Sequence, residues 1–364
     1  MTDLRLKVGG REYGGWKSAR VTRSVETVSG AFELALSDRW PGQTTDWPIH
    51  AEDECTLLVA GEPMIVGYVD DKAVSYDASS HSITVSGKDW TAALVECSAD
   101  LDAWEFKNAS LLTLAQKLCR PFGIDVSLQD GLIVDAVSKL SVDPGETAFD
   151  ALDRLCRMAG VLPVSDGAGG LLLTRAGSRR AVTELVEGKN ILAASSQHNV
   201  TGVFRNYRVL GQRSGSSETH GADAASVKGS ASDLTVRRLE RSLLVRADGN
   251  VSPAQAKVRA EWEATVRAGR AFSASVTVQV WTQGNGRPWP VNALVGVRSP
   301  ALRIDSDMLI TEAVYTLDEG GSKTTLALKR PDAFEPEPVI EVVEKKAGTK
   351  KKAGQPWAEL AGGV

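Results

Sequence analysis

The chain has 364 residues, 42% of them hydrophobic and 24% charged, which suits a soluble globular protein with room for two or three domains. Its 42 basic and 46 acidic side chains give a net charge of −4, whereas a duplex-binding protein needs a cationic surplus, so nucleic-acid recognition is not expected. No run approaches the roughly 20 apolar residues that span a bilayer, and the first residues carry no apolar signal-peptide core, so folding in a cytoplasm is expected.

Residues 1–95 read as strands. Leu4, Leu6 and Val8 alternate with polar residues before a Gly9-Gly10 turn, and Phe32, Leu34 and Leu36 alternate again before Pro41-Gly42. Thr56 to Val59, Met64 to Val69 and Ile83 to Val85 follow, separated by Gly61-Glu62 and by Asp77 to Ser80. Short strands at this spacing favour a small barrel or sandwich.

The period then changes. Ser110 caps a helix carrying Leu111, Leu114, Ala115, Leu118 and Phe122 at helical spacing, and Gly123 ends it. A second helix starts at Thr147, with Asp150 as a capping partner, buries Ala148, Leu152, Leu155 and Ala159, and stops at Gly160. Each helix leads into a short strand, and Asp166 to Gly170 turns the second into Leu171-Leu172-Leu173, so 96–185 reads as a small α/β domain of two helix–strand units. Cys55, Cys97, Cys119 and Cys156 lie too far apart for a zinc ribbon or a paired redox motif, and the expectation is four reduced, mostly buried thiols.

Arg213 to Asp233 has scarcely any large apolar residue and reads as a mobile loop. Ser252 and Pro253 then open a third helix, 253–268, which Gly269 follows; its expected apolar stripe is Ala254, Val258, Trp262 and Val266. Lys257 with Glu261, and Arg259 with Glu263, are expected to be solvent-side ion pairs. Strands return from Ala271 to Leu328, with turns at Gly284-Asn285-Gly286 and Gly320-Gly321. The segment 335–364, with Lys345, Lys346, Lys350, Lys351 and Lys352, reads as a disordered basic tail.

The two β regions resemble each other. Trp47-Pro48-Ile49 matches Trp289-Pro290-Val291, Met64 matches Met308, Asp89 matches Asp332, and Ser29 to Phe32 matches Thr201 to Phe204. The expected fold is therefore α+β, mainly β: two similar small β-barrel domains (1–95, and 186–211 with 270–334), an intervening small α/β domain, and a helix-containing insertion at 212–269 in the second barrel. Three copies of a chain with two similar barrels can form a ring with six nearly equivalent positions.

The barrel with Trp47-Pro48 and Gly87-Lys88-Asp89-Trp90, the unit from Pro144 through Leu152 to Gly160, and the closing Thr325 to Leu328 with Lys329-Arg330-Pro331-Asp332 together resemble the baseplate hub family of contractile-tailed, Mu-like phages and their late-control tail proteins. The resemblance runs over about residues 1–334 in domain order and scattered positions. It implies a homotrimer in the virion tail baseplate, with a tail tube protein on one face and a central spike protein on the other. Type VI secretion spike bases share this architecture, so a spike-base component of such a system or of a tailocin is an alternative. A monomeric glycan or cell-wall binding module, suggested by the β-rich pattern and nine tryptophans, is another.

No enzyme site is expected, and no cofactor or metal. His50-Ala51-Glu52 lacks the paired cysteines of a zinc deaminase. His81, His198 and His220 are isolated in the sequence, and the neighbouring carboxylates Asp70-Asp71 and Asp100 with Asp102 point apart rather than across a cleft. Neither a Walker A nor a nucleophile-elbow motif occurs. Trp47 and Trp289 are the candidate inter-subunit or partner contacts, against packing in the barrel core or rim.

Overall fold

A computed structural model describes residues 3–37, 48–77, 81–212 and 227–338. The chain is mainly β, with helices confined to two units packed beside the large sheet. The first strands are β1 (Leu4–Val8), β2 (Arg11–Tyr13), β3 (Ser18–Ser24), β4 (Ala31–Ser37), β5 (Glu54–Val59), β6 (Glu62–Tyr76) and β7 (His81–Asp89). The α/β unit contains α1 (Ala92–Glu96), β8 (Glu105–Ala109), α2 (Leu111–Cys119), β9 (Val126–Leu128), β10 (Val137–Ser141), α3 (Ala148–Ala159), β11 (Leu162–Ser165) and β12 (Leu171–Thr174). Then come β13 (Arg179–Arg180), β14 (Leu185–Val186), β15 (Ile191–His198), β16 (Asn206–Gln212), β17 (Val227–Ser232), β18 (Ser242–Asn250), α4 (Pro253–Arg270), β19 (Phe272–Gln279), β20 (Ala293–Ser299), β21 (Ile304–Asp318) and β22 (Gly321–Lys329).

The internal repeat is visible in the strand order. β3-β4-β7-β6-β5 run side by side, and β15-β19-β22-β21-β20 repeat the same hydrogen-bonded order. Both long strands bulge at the same place, β6 between Val69 and Asp71 and β21 between Ile310 and Glu312. Aligning the bulges sets Val69 with Ile310 and Gly67 with Met308. Met64 and Met308, paired by sequence, therefore fall on different rungs, because spacing between motifs does not count the bulged residue or the hairpin lengths.

The two halves do not stand apart as separate sheets. β3 pairs with β21, and the fourteen strands of both halves form one sheet among the described residues. Its pairing closes neither half on itself. Alternation explains the core: Leu4, Leu6, Val21, Leu34, Leu57 and Val85 of the first half join Val276, Val295, Ile310, Tyr315 and Leu326 of the second in one apolar cluster.

Both predicted helix starts in the α/β unit hold. Ser110 Oγ accepts from the Thr113 amide and Thr147 Oγ1 from the Asp150 amide, and Gly123 and Gly160 take left-handed conformations at φ 69° and 64°. Pro121 cannot donate to the α2 ladder, so the helix tightens into a 3-10 turn over Arg120–Phe122. Leu114, Leu118, Leu152 and Leu155 form a second core. β11, β12 and β9 make its small sheet, and β8 and β10 add a hairpin without a clear sequence signal. Leu94 of α1 belongs to this core, and β13 and β14 pair with β20 of the large sheet. The expected limits 96 and 185 thus shift to about 90 and 175.

The inserted segment also changes its limits. β16 pairs with β17 and β18 in a separate sheet, so the insertion begins directly after β15 rather than at 212. Residues 227–232, read as mobile loop, form β17; residues 213–226 of that loop lie outside the described ones. α4 runs through Gly269 to Arg270 and has the full capping box, Ser252 and Gln255 exchanging bonds. Its buried face is Ala256, Ala260, Glu263, Val266 and Gly269, while Val258 of the expected stripe is exposed. The helix sits on β17 so closely that a Cβ at Gly229 would lie 2.1 Å from the Ala256 carbonyl carbon. Small residues, not large ones, mark this face.

Arg259 and Glu263 are not on the solvent side. Glu263 is buried and takes Arg259 at 3.1 Å and Arg267 at 2.7 Å, while Lys257 and Glu261 form the exposed pair. Glu263→Ala strands two guanidinium groups, of which Arg267 is about one-third exposed. The expected loss is about 2 kcal/mol, read as a lower denaturation midpoint at unchanged denaturant slope. The first residues of the expected tail are ordered: Trp262 Nε1 donates to Glu335 O at 2.9 Å, and Pro336 lies against Gly160. Residues 339–364, with all five tail lysines, lie outside the described ones.

Candidate assembly interface

The joint between the repeats is built from β3 and β21, antiparallel from Ser24 opposite Glu312 to Ala19 opposite Leu317. Ala19 and Val21 point into the core between Ser18, Arg20 and Thr22, and Ala313 and Tyr315 do so from β21. Tyr315 is fully buried. Its hydroxyl donates to Trp289 O, and burial pushes its phenol pKa up, so the group stays a neutral donor. Trp281 packs edge-on to it at 5.9 Å and donates Nε1–H to Thr316 O at 2.9 Å. The seam is dry, hydrogen-bonded and continuous with both sheets.

A second joint fixes the α/β unit to the first half through Asp89. Its carboxylate accepts from the Gly30 amide at 2.8 Å, from the Thr91 amide at 3.2 Å and from the Thr91 hydroxyl. Thr91 Oγ1 also lies 2.8 Å from Val28 O, and Arg23 donates to Ser165 O at 2.7 Å. Burial raises the Asp89 carboxyl above the usual aspartate range, opposed by the hydrogen bonds from Thr91, Gly30 and Ser165 and by the Arg23 charge.

The neighbours of Asp89 have equally specific tasks. A Cβ at Gly87 would lie 2.1 Å from Tyr68 O and 2.8 Å from the Phe32 ring, so only glycine lets β6 and β7 approach. Lys88 pairs with Glu96 at 2.6 Å and Asp70 at 3.8 Å, and the bond to Glu96 is the main reason its ammonium is held above the ordinary lysine pKa. Trp90 packs over Gly169 of the α/β unit. Sequence reading quoted Gly87 to Trp90 without seeing that Asp89 is a buried latch. A polar residue at the end of an apolar strand, two before a threonine, was the available signal.

Trp289, a candidate contact, is 3% exposed and packed in the main core. Trp47, its sequence counterpart, lies outside the described residues, as does His220. His50 is exposed beside Asp53, and His198 stacks near Phe272 at 6.4 Å. Among the described residues, no three His, Cys, Asp or Glu side chains are grouped to hold a metal. Cys55, Cys119 and Cys156 are buried, and burial pushes the first two thiols up to about 12; Cys97 is exposed. No described helix is long and apolar enough to cross a membrane.

The fold is one of phage tail proteins. The 43 kDa tail protein of prophage MuSo2 from Shewanella oneidensis matches 92% of this chain and 99% of its own, with 32% identity and a TM-score of 0.81. The c3393 protein of E. coli, described as a type VI secretion component with structural similarity to T4 tail proteins gp27 and gp5, shares the fold at 10% identity and a TM-score of 0.55, over 92% of this chain and 80% of that one. Residues 3–89 match the N-terminal domain of the Mu phage baseplate assembly protein GpP-like family, residues 91–175 the second domain of the baseplate hub protein gp44-like family, and residues 252–337 the fourth domain of GpP. Baseplate hub protein gp44 of Escherichia phage Mu is 33% identical over 339 residues, 91% of this chain and 88% of that protein. The chain belongs to the baseplate hub protein family of Mu-like phages.

Proposed function

We propose that this protein is the structural hub of a contractile tail, a homotrimeric ring that joins the tail tube on one face to the central spike on the other. The observation that carries the reading is the repeated strand order: two similar β units per chain give three copies six similar positions. In this reading each unit completes a small barrel within the ring, the ring is assembled in the host cytoplasm, and its place is the virion baseplate. The work is geometric and needs no catalytic residue. Three-fold chemistry meets six-fold surroundings through the repeat.

The burial of the aromatics supports this over a glycan-binding surface. Of the six described tryptophans only Trp104 is exposed, so no described row of rings is offered to a sugar. Multi-angle light scattering of the purified protein at micromolar concentration is expected to give three times the chain mass. A single-chain mass would overturn the ring.

A further inference from the structure

The large sheet ends at β15, which pairs with β19 on one side and with no described strand on the other. From Leu192 to His198 its side chains are exposed on both faces. The strand Ile191–His198 contains no Lys, Arg, Asp, Glu or Pro, the residues that soluble proteins use to blunt such an edge. A second open edge lies on β6. Beyond the bulge at Asp70 this strand pairs with β7 alone among the described strands, and it carries Val74 at 54% and Tyr76 at 77% exposure.

Inside the chain the counterparts of these two edges are already joined. β3 is the counterpart of β15, and Glu312 to Leu317 of β21 is the counterpart of Asp71 to Tyr76 of β6. We propose that β15 of one copy adds antiparallel to the distal half of β6 in a neighbouring copy, repeating the β3–β21 seam between subunits. The register transfers rung by rung. It sets Gln197 opposite Ala73 of the neighbouring copy, Ser196 opposite Val74, Ser195 opposite Ser75, and Ala194 opposite Tyr76. Side-chain volumes agree with the template: within the chain Val21 faces Tyr315 and Ala19 faces Leu317, small against large, as Ser196 with Val74 and Ala194 with Tyr76 are. Main-chain bonds supply affinity in such strand addition, and the alternate side chains fix the register. Each copy has one β15 and one β6, so the contact is head-to-tail and closes as a ring.

This inference rests on the ring reading, and the test separates the two. In a Cys97→Ser background, Val74→Cys combined with Ser196→Cys places thiols on one rung; Val74→Cys with Ser195→Cys places them on opposite faces. Antiparallel rungs alternate in Cβ separation, so Ser75→Cys with Ser195→Cys is run alongside. After oxidation by oxygen with copper phenanthroline, at least one on-register pair is expected to give covalent dimers and trimers on a denaturing non-reducing gel, and the off-register pair only single chains. Light scattering is measured on the same samples. A three-chain particle in which neither on-register pair crosslinks overturns the edge addition and leaves the ring standing. A single-chain species overturns both. All substituted positions are exposed in the single chain, so folding is not at stake.

Discussion

Asp89→Ala is expected to lower stability by about 3–4 kcal/mol and to loosen the α/β unit from the first β half. The substitution leaves the Gly30 amide, the Thr91 amide and the Thr91 hydroxyl without their acceptor in a site that is 2% exposed. Each buried donor left unpaired costs about 1–3 kcal/mol, and the three losses overlap because they share one carboxylate. Chemical denaturation reads the total; proteolysis of the native state is expected to cut first near residue 90, where the latch sits. The pH dependence has a definite sign. A carboxyl whose folded pKa is raised contributes stability that is complete below the ordinary aspartate value and lost as pH rises through the folded one. Compared with Asp89→Asn, the natural protein is therefore expected to gain stability as pH falls from neutral toward that value. A gap between the two that narrows on acidification would contradict the assignment of a raised pKa.

The second large effect is Gly67→Ala. A Cβ there would lie 1.9 Å from Lys88 O and 2.6 Å from the Asp89 Cα, both backbone atoms of the paired strand. No rotamer relieves a clash with main chain, so β6 and β7 must separate where β7 delivers Asp89 to its donors. We expect a loss of about 3 kcal/mol or more, above the usual range for one added methyl group. Gly61→Ala, at a turn with open space around it, is the control: its φ of 79° makes it strained but not blocked, and about 1 kcal/mol is expected. Thermal melts of the two variants side by side check the order; equal losses would mean that the close approach at Gly67 is not what selects glycine there.

Much of the fold was legible because its signals are local. Alternation at Leu4 to Val8 and Phe32 to Leu36, the caps Ser110, Thr147 and Ser252, and the terminating glycines 123 and 160 each depend on neighbours in sequence. The repeat was legible as well, though its frame slipped by the bulge. What stayed hidden depends on distant partners. β15 shows no alternation because both of its faces are exposed, so the residues that form the sheet's open edge looked like linker. β3 has the pattern, yet only pairing with β21 reveals it as a seam. The buried face of α4 was missed because Ala256, Ala260 and Gly229 signal closeness through lack of bulk. Glu263 was assigned to solvent because a charged residue on a helix usually belongs there. For the interface itself, the tryptophans drew attention by their size, while the edges that carry the argument are made of Ala and Ser.

The seam between β3 and β21 also sets a schedule for folding during synthesis. Ser24 finds Glu312 only after nearly the whole described chain has been made, although β3 is among the first strands to emerge. Until then its backbone groups face outward beside apolar Val21, a state in which a nascent chain is prone to pair with the wrong strand. Pairing so distant in sequence forms slowly. A chain cut short before β21 therefore keeps an open β3 edge and stays apart from finished subunits, so completion of this one ladder separates whole chains from fragments before either reaches a growing particle.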